Sequence, residues 1–245
     1  MTRHLFTVTL AGLLLTAGCD ETPKNTVATT AEGLWNGSTN TNRTMTIAVL
    51  DDGTSYFFYS DQGNAATVAG VLQGAGSSSN GNYTAAAVRD FRVGAAPLDA
   101  AISGTYSARQ SFNGTISYPS SGTVGFTSGY NTSYDTQPTI ASLAGVYQGL
   151  ASSSGGSQAA SIAVQSDGTF TGSEQNNCTF TGKATLRAKG NVLDQTITFG
   201  GFPCFFGNAT FQGIVIRDVA TNRLYTAAPN GARTDAAIFF GTRIF

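Results

Sequence analysis

The fold of this chain is decided by two short blocks of sequence that each occur twice in the same order. The first block reads EGLWNG at residues 32–37 and AGVYQG at residues 144–149. The second reads IAVLDDGT at residues 47–54 and IAVQSDGT at residues 162–169. Two matches in register favour an internal duplication over chance, and a repeat this long indicates two tandem domains rather than a solenoid.

The repeated unit carries the pattern of β-strands. In TMTIAV at residues 44–49 apolar side chains alternate with small or polar ones, and residues 162–164 repeat the alternation. A period of two is typical of a strand with one buried face. Asp-Gly pairs at residues 52–53 and 167–168 add a hairpin signal directly after each strand.

Further candidate strands follow at short intervals, separated by glycine- and asparagine-rich turns. They are residues 65–73, 100–108, 114–118, 122–127, 178–186, 194–199, 209–217, 223–227 and 236–245. Only residues 84–91 are expected to form a helical turn. Each half, with about 105 residues, is long enough for one closed meander of roughly eight strands. We therefore predict an all-β chain of two tandem small antiparallel meander β-barrels.

The N-terminus predicts export. Arg3 and His4 precede an uncharged run at residues 5–17 that is shorter than the roughly 20 residues a bilayer span needs. The run closes on LTAGC at residues 15–19, which resembles the lipobox of bacterial lipoproteins, with Thr16 where the commonest version has leucine. The resemblance implies that the thiol of Cys19 takes a diacylglycerol and becomes the new N-terminus.

These features divide the chain into four parts. We expect a signal peptide at residues 1–18, a flexible tether at 19–31 and β-barrel domains at 32–136 and 137–245. The lipid then attaches the protein to a membrane of the bacterial envelope, with the outer membrane favoured. Asp20, directly after the lipid cysteine, resembles the inner-membrane retention signal of enteric bacteria and leaves the inner membrane open.

Composition disfavours several classes of function. Without the signal the chain keeps twelve lysines and arginines against fourteen acidic residues and has no basic patch, so we do not expect nucleic acid as a partner. The single histidine, His4, leaves with the signal, which removes the commonest general base, His-dependent nucleophile pairs and most zinc sites. We expect no catalytic residue, no metal and no cofactor.

Two cysteines remain once Cys19 is set aside. Cys178 and Cys204 form an even pair in an oxidising compartment, where a disulfide is the default. A free buried thiol and a metal pair are the alternatives, although two cysteines without a histidine make a poor metal site.

The most unusual stretch is GGFPCFFG at residues 200–207. Phe202, Phe205 and Phe206 lie on a glycine-flanked loop that the disulfide would pin. A pinned aromatic loop suits binding because its ordering cost is met in advance. The simpler interpretation is that these rings close one end of the barrel, since apolar side chains usually bury.

A second aromatic cluster is YFFY at residues 56–59. Alternation places Tyr56 and Phe58 on one face of a strand and Phe57 and Tyr59 on the other. One pair should enter the core, while the other faces the linker, the partner domain or a ligand. We take Phe57 and Tyr59 as candidate binding residues, with domain packing as the simpler interpretation.

The duplication itself argues for structural roles at other notable residues. Asp51 and Asp52 form an acidic pair within the expected barrel domains, and paired carboxylates can hydrolyse glycosidic bonds. The second repeat keeps Asp167 but has Ser166 in place of Asp51, so a turn explains the conserved aspartate better.

Trp35 and Tyr147 also occupy equivalent positions between glycines. A large aromatic side chain kept at the same point of both repeats favours a structural role. We expect each ring to plug its barrel.

Recurrent apolar-x-glycine steps at residues 102–104, 180–182 and 211–213 fit strongly curved strands. In its short glycine-containing strands and in its lipobox, the chain resembles the small meander barrels of bacterial surface lipoproteins, including transferrin-binding-protein-B-like proteins. No specific motif of that family is matched, so no ligand site is carried over. We expect a lipid-anchored, non-catalytic module that binds a protein, a glycan or a small apolar ligand, or supports an assembly. The alternative is an inhibitor or accessory subunit of an envelope or host enzyme.

Overall fold

The computed structural model describes residues 30–245, and these residues form an all-β structure, as predicted. The expected signal peptide, the lipidation site Cys19, Asp20 and all but the last two residues of the expected tether lie outside the described residues. Within the described range, no helix has the length and apolarity that a membrane crossing needs.

Barrel 1 is a closed antiparallel meander of eight strands, the fourth of which is broken into two segments. Its elements are β1 (Gly33–Thr39), β2 (Thr44–Val49), β3 (Thr54–Tyr59), β4 (Gly70–Ala75), β5 (Ser77–Ser79), β6 (Asn82–Arg92), β7 (Leu98–Ser107), β8 (Ser111–Tyr118) and β9 (Gly122–Tyr130). Strands β4 and β5 flank Gly76 and both pair with β6. Pairing of β1 with β9 closes the barrel.

Barrel 2 repeats this order without the break. Its elements are β10 (Gly145–Ser153), β11 (Gly156–Val164), β12 (Thr169–Glu174), β13 (Thr179–Leu186), β14 (Leu193–Phe199), β15 (Thr210–Asp218), β16 (Arg223–Pro229) and β17 (Ala236–Arg243). Pairing of β10 with β17 closes it. Two short 3-10 helices, Thr132–Asp135 and Ile140–Leu143, connect the barrels.

The helical turn expected at residues 84–91 is wrong, because these residues belong to strand β6. A bulge between Ala85 and Val88 shifts the pairing with β7. Ala85 and Val88 are both buried although they lie three residues apart in sequence. The bulge thus breaks the period-two pattern that would have identified the strand.

Each barrel has its own apolar interior, and a third cluster joins the two barrels side by side. Tyr56 and Phe58 point out of barrel 1 into this third cluster, where the ring of Phe58 lies 5.6 Å from that of Tyr225 in barrel 2. The alternation at residues 56–59 is thereby explained, since Phe57 enters the interior of barrel 1.

Ion pairs and hydrogen bonds border this interface. Arg187 of barrel 2 pairs with Asp51 at 2.7 Å and Asp52 at 3.1 Å, and also with its own neighbour Asp194 at 2.6 Å. The side chain of Arg233 donates to the carbonyl oxygen of Gln73 at 2.6 Å. The two barrels are therefore held by apolar packing and by charged contacts around it.

Candidate functional site

Each barrel has a plugged end and an end that contains a cavity. Trp35 and Tyr147, both fully buried, fill the end where the first strand of each barrel begins. The cavities lie at the opposite ends, where that first strand finishes. Each barrel therefore has one opening, and the linings of the two openings differ.

The opening of barrel 2 is crossed by the loop at residues 200–209, which joins β14 to β15. A disulfide between Cys178 and Cys204 ties this loop to the start of β13, which confirms the predicted bond. Backbone hydrogen bonds hold the loop internally, with the amide of Gly201 donating to Gly207 at 3.0 Å. The side-chain amide of Asn176 adds a bond to the carbonyl of Pro203 at 3.4 Å.

The three phenylalanines of the loop occupy different environments. Phe206 packs on the barrel interior, with its ring 5.1 Å from Phe199 and 4.8 Å from Phe211. The side chain of Phe205 is 57% exposed and meets Phe206 edge-on at 5.0 Å. Phe202 is 99% exposed. The loop therefore combines a buried ring, a half-covered ring and a fully solvated ring.

Phe205 reaches across the opening to the turn between β10 and β11. A Cβ atom placed on Gly155 in that turn would lie 2.7 Å from Cε2 of Phe205, so the glycine makes room for the ring. The turn and the loop lie on opposite sides of the eight-stranded barrel. Phe205 thus partly covers the opening.

Beneath Phe205 lies an apolar cavity of about 110 Å³. Its walls are formed by aliphatic and aromatic side chains that point inward from the strands of barrel 2. They include Ile162, Val164, Phe170, Phe180, Ala184, Ile197, Phe199, Val215, Leu224 and Phe239. The cavity is continuous with the rings of Phe205 and Phe206 at the mouth.

Two polar side chains of this lining lack a protein partner. Gln195 is 5% exposed, and its amide has no hydrogen-bond partner among the described residues. Glu174 lies at the end of β12, and its carboxyl group likewise has no hydrogen-bond or ionic partner in that part of the chain. Burial raises the pKa of Glu174. Unpartnered polar groups in an apolar cavity favour a ligand that can satisfy them.

The other candidate residues from the sequence lie in barrel 1. Phe57 is fully buried in its core, where it packs against Phe112 and Phe126. Tyr59 lines the cavity of barrel 1 and donates a hydrogen bond to Asp90 at 2.7 Å. The structure therefore separates the two residues: Phe57 packs in the core and Tyr59 faces a pocket.

The acidic pair serves the turn and the interface. The amide of Thr54 donates to Asp52 at 2.8 Å, and the amide of Thr169 donates to Asp167 at 2.9 Å in the same way. Asp51 and Asp52 then contact Arg187 across the interface. These contacts account for both carboxylates without a reacting group between them.

Sequence reasoning missed Glu174, Gln195 and Gly155. Gln195 stands in DQTITF at residues 194–199, where Ile197 and Phe199 are inward, so the period of two places Gln195 on the same face. Alternation was therefore a sufficient signal for Gln195. Gly155 becomes notable only through its distance to Phe205, which no local pattern encodes.

Comparisons with known proteins give no family. No family model matches the chain, and no curated protein matches it. Among solved structures, the chain is similar to transferrin binding protein B from serogroup B Neisseria meningitidis, with a TM-score of 0.33, 11% identity and coverage of 83% of this chain and 66% of that one.

Two further solved structures show likeness at the same level. A mutant of transferrin binding protein B from Haemophilus parasuis Hp5 has a TM-score of 0.30 and 8% identity, covering 82% of this chain and 66% of that one. A proposed outer membrane protein of Bacteroides fragilis NCTC 9343 has a TM-score of 0.27 and 16% identity, covering 87% and 96%. The chain spans just under two thirds of the length of the two transferrin binding proteins. Because all three TM-scores are low, the function of this chain is inferred from its own residues.

Proposed function

We propose that this chain is a lipid-anchored, non-catalytic envelope protein in which barrel 2 binds the apolar group of a small ligand. The observation that carries the proposal is an apolar cavity whose wall holds Gln195, a side chain with no hydrogen-bond partner among the described residues. A ligand hydroxyl or carbonyl group that hydrogen-bonds this amide would add about 1 kcal/mol to the binding free energy, the net value of one neutral hydrogen bond.

The size of the cavity limits what it can take. A dry apolar cavity of about 150 Å³ binds benzene, and this one measures about 110 Å³. It therefore fits one small ring or a short alkyl segment, with a single hydroxyl or carbonyl group for Gln195. The partly buried Glu174 at the rim disfavours an anionic ligand, because two negative charges would meet where water is scarce.

The chemistry of the lining supports binding rather than catalysis. Among the described residues that line the cavity, Glu174 is the single carboxylate, and neither lysine nor histidine accompanies it. Acid–base or nucleophilic catalysis needs a second positioned group beside such a carboxylate. The remaining polar groups are serine and threonine hydroxyls and side-chain amides.

The binding test uses phenol and toluene, which have nearly the same shape. We expect calorimetric titration of the full mature protein to give tighter binding of phenol, because only phenol can hydrogen-bond Gln195. Gln195→Leu should reverse this preference and lower the affinity for phenol by about fivefold, which corresponds to the loss of one neutral hydrogen bond. Thr196→Leu, an outward neighbour, is the matched control and should change neither affinity.

A cavity-filling variant gives the second arm. Ala184 is 2% exposed and lines the cavity, so Ala184→Leu should occupy the space and abolish binding of both compounds. Equal affinity in wild type and Ala184→Leu, with the variant folded by circular dichroism, would contradict the proposal.

The anchor is tested separately. We expect Cys19→Ser to remain unprocessed by the lipoprotein pathway and to lose lipid labelling, since the modified thiol is absent. Fractionation of cells that carry either form measures this directly. A variant as fully processed and as firmly membrane-bound as wild type would refute lipidation at Cys19.

One observation favours the second candidate, an inhibitor or accessory subunit of an envelope or host enzyme. Phe202 is 99% exposed on a loop that a disulfide holds in place, which suits contact with a protein surface. A photo-crosslinking residue at position 202 should then capture a discrete partner in intact envelopes. Val219, 62% exposed at the plugged end of barrel 2, is the control position and should capture none.

A further inference from the structure

Barrel 1 contains a larger and differently lined pocket at the end opposite Trp35. Its volume is about 610 Å³. Met45, Leu72, Ile116 and Val124 supply an apolar wall. The cavity of barrel 2 has no charged group other than Glu174, whereas the pocket of barrel 1 is lined by Arg43, Asp90 and Arg92.

A buried carboxylate lies in this pocket and accepts hydrogen bonds from two tyrosine hydroxyl groups. Asp90 is 2% exposed, and its two oxygen atoms accept hydrogen bonds from Tyr59 at 2.7 Å and Tyr118 at 2.8 Å. Both carboxylate oxygens are thereby occupied.

Two arginines that line the same pocket are held in place by backbone carbonyl groups and form no ion pair with a carboxylate of the described residues. Arg43 donates to the carbonyl of Ser60 at 2.7 Å and lies over the ring of Tyr59, 5.5 Å from its centre. Arg92 donates through Nε and Nη2 to the carbonyl of Ala96. No acidic side chain among residues 30–245 lies within ion-pair distance of either guanidinium group.

The geometry points to a binding site in barrel 1 for a small organic oxyanion, in which Arg43 and Arg92 hold the charged group and the apolar wall holds the body. Two fixed guanidinium groups with free N–H donors outnumber the one buried carboxylate, so the pocket attracts negative charge. A carboxylate and a phosphate share the oxyanion chemistry that these donors recognise. This inference is independent of ligand binding in barrel 2.

The test compares four probes that share one ring: benzoate, phenyl phosphate, benzylamine and benzyl alcohol. We expect the full mature protein to bind benzoate or phenyl phosphate at least tenfold more tightly than benzyl alcohol, and benzylamine most weakly. The better of the two anions identifies the head group. Tighter binding of benzylamine, or equal binding of benzyl alcohol and both anions, would overturn the proposal.

Arginine variants locate the site. Arg43→Gln and Arg92→Gln should each lower the affinity for the preferred anion by about tenfold, as expected for loss of one charged hydrogen bond. Arg109→Gln is the control, because Arg109 lies at the plugged end of the same barrel and pairs with Asp135. If Arg109→Gln weakens binding as much as the pocket variants do, or if no variant changes it, the assignment is wrong.

A barrel 2 variant keeps the two sites distinct. Ala184→Leu fills the cavity of barrel 2 and should leave anion affinity unchanged. Loss of anion binding in Ala184→Leu would place the anion in barrel 2 and contradict the inference.

Discussion

Trp35 and Tyr147 make the same hydrogen bond with different atoms. Nε1 of Trp35 donates to the carbonyl oxygen of Ala31 at 3.0 Å, and the hydroxyl of Tyr147 donates to the carbonyl oxygen of Leu143 at 2.9 Å. In each case the acceptor lies four residues upstream. Both rings therefore fill one end of a barrel and fix the chain that enters it.

Tyr147→Phe should destabilise the protein by about 1 kcal/mol, because the buried carbonyl of Leu143 loses its donor while the ring volume stays. Trp35→Phe should cost more, since it removes both the donor and part of a fully buried ring. Urea denaturation followed by circular dichroism measures both changes. Unfolding free energies equal to wild type for both variants would contradict the shared role.

Much of the architecture was predictable because the same sequence blocks occur in both halves of the chain. The second repeat has Tyr147 where the first has Trp35, and Asp167 where the first has Asp52. A structural role assigned to one of these positions therefore had to fit its equivalent as well. Strand β6 escaped prediction because its bulge breaks the alternation.

The contacts that depend on packing between distant segments were beyond the sequence. Arg187 meets Asp51 only after both barrels have folded and docked, and Phe205 meets Gly155 only across a closed barrel. Neither pair is linked by spacing or by a local pattern. Gln195 differs, since its place in an alternating strand already pointed it inward.

The disulfide should leave no free thiol in the unreduced mature protein after unfolding. Replacing both Cys178 and Cys204 by serine should lower the unfolding free energy by about 3–4 kcal/mol in the loop-entropy account. The loop at residues 200–209 should also become more susceptible to protease. Thiol titration in denaturant checks the bond, and two titratable thiols outside Cys19 would exclude it.

Arg187→Gln should weaken the contact between the barrels in a pH-dependent way. Partial burial raises the pKa of Asp52, but the hydrogen bonds from Thr54 and the charge of Arg187 outweigh it and lower that pKa overall. Because the pKa of Asp52 is lower in the folded state than its unfolded-state value of 3.8, the ionised carboxylate stabilises the folded state fully above pH 3.8. This stabilisation is lost as the pH falls through the folded-state pKa. The stability gap between wild type and Arg187→Gln should therefore narrow from pH 7 to below pH 4. Lys183→Gln, at an exposed position of β13 away from the interface ion pairs, is the control. A stability gap that widens in acid would contradict the ion pair.

Asp90 should show the opposite dependence on pH. Burial raises the pKa of Asp90, outweighing the hydrogen bonds from Tyr59 and Tyr118 and the charges of Arg92 and Arg43. A raised carboxyl pKa means that the folded state holds its proton longer, so stability falls as pH rises from about 4 through the folded pKa. The stability of wild type relative to Asp90→Asn should decline over that window. Titration of the Asp90 carboxyl carbon by NMR checks the direction, and a midpoint below 3.8 would contradict it.

The most direct measurement for the central claim is a methyl NMR titration of the full mature protein with phenol. If barrel 2 holds the apolar group of a ligand, the methyl signals of Ile162, Ile197 and Val215, which line its cavity, should shift and saturate. Those of Ile47 and Ile102 in the core of barrel 1 should stay in place. Saturable shifts confined to barrel 1, or no shift in barrel 2 at concentrations near the solubility limit of phenol, would contradict the account.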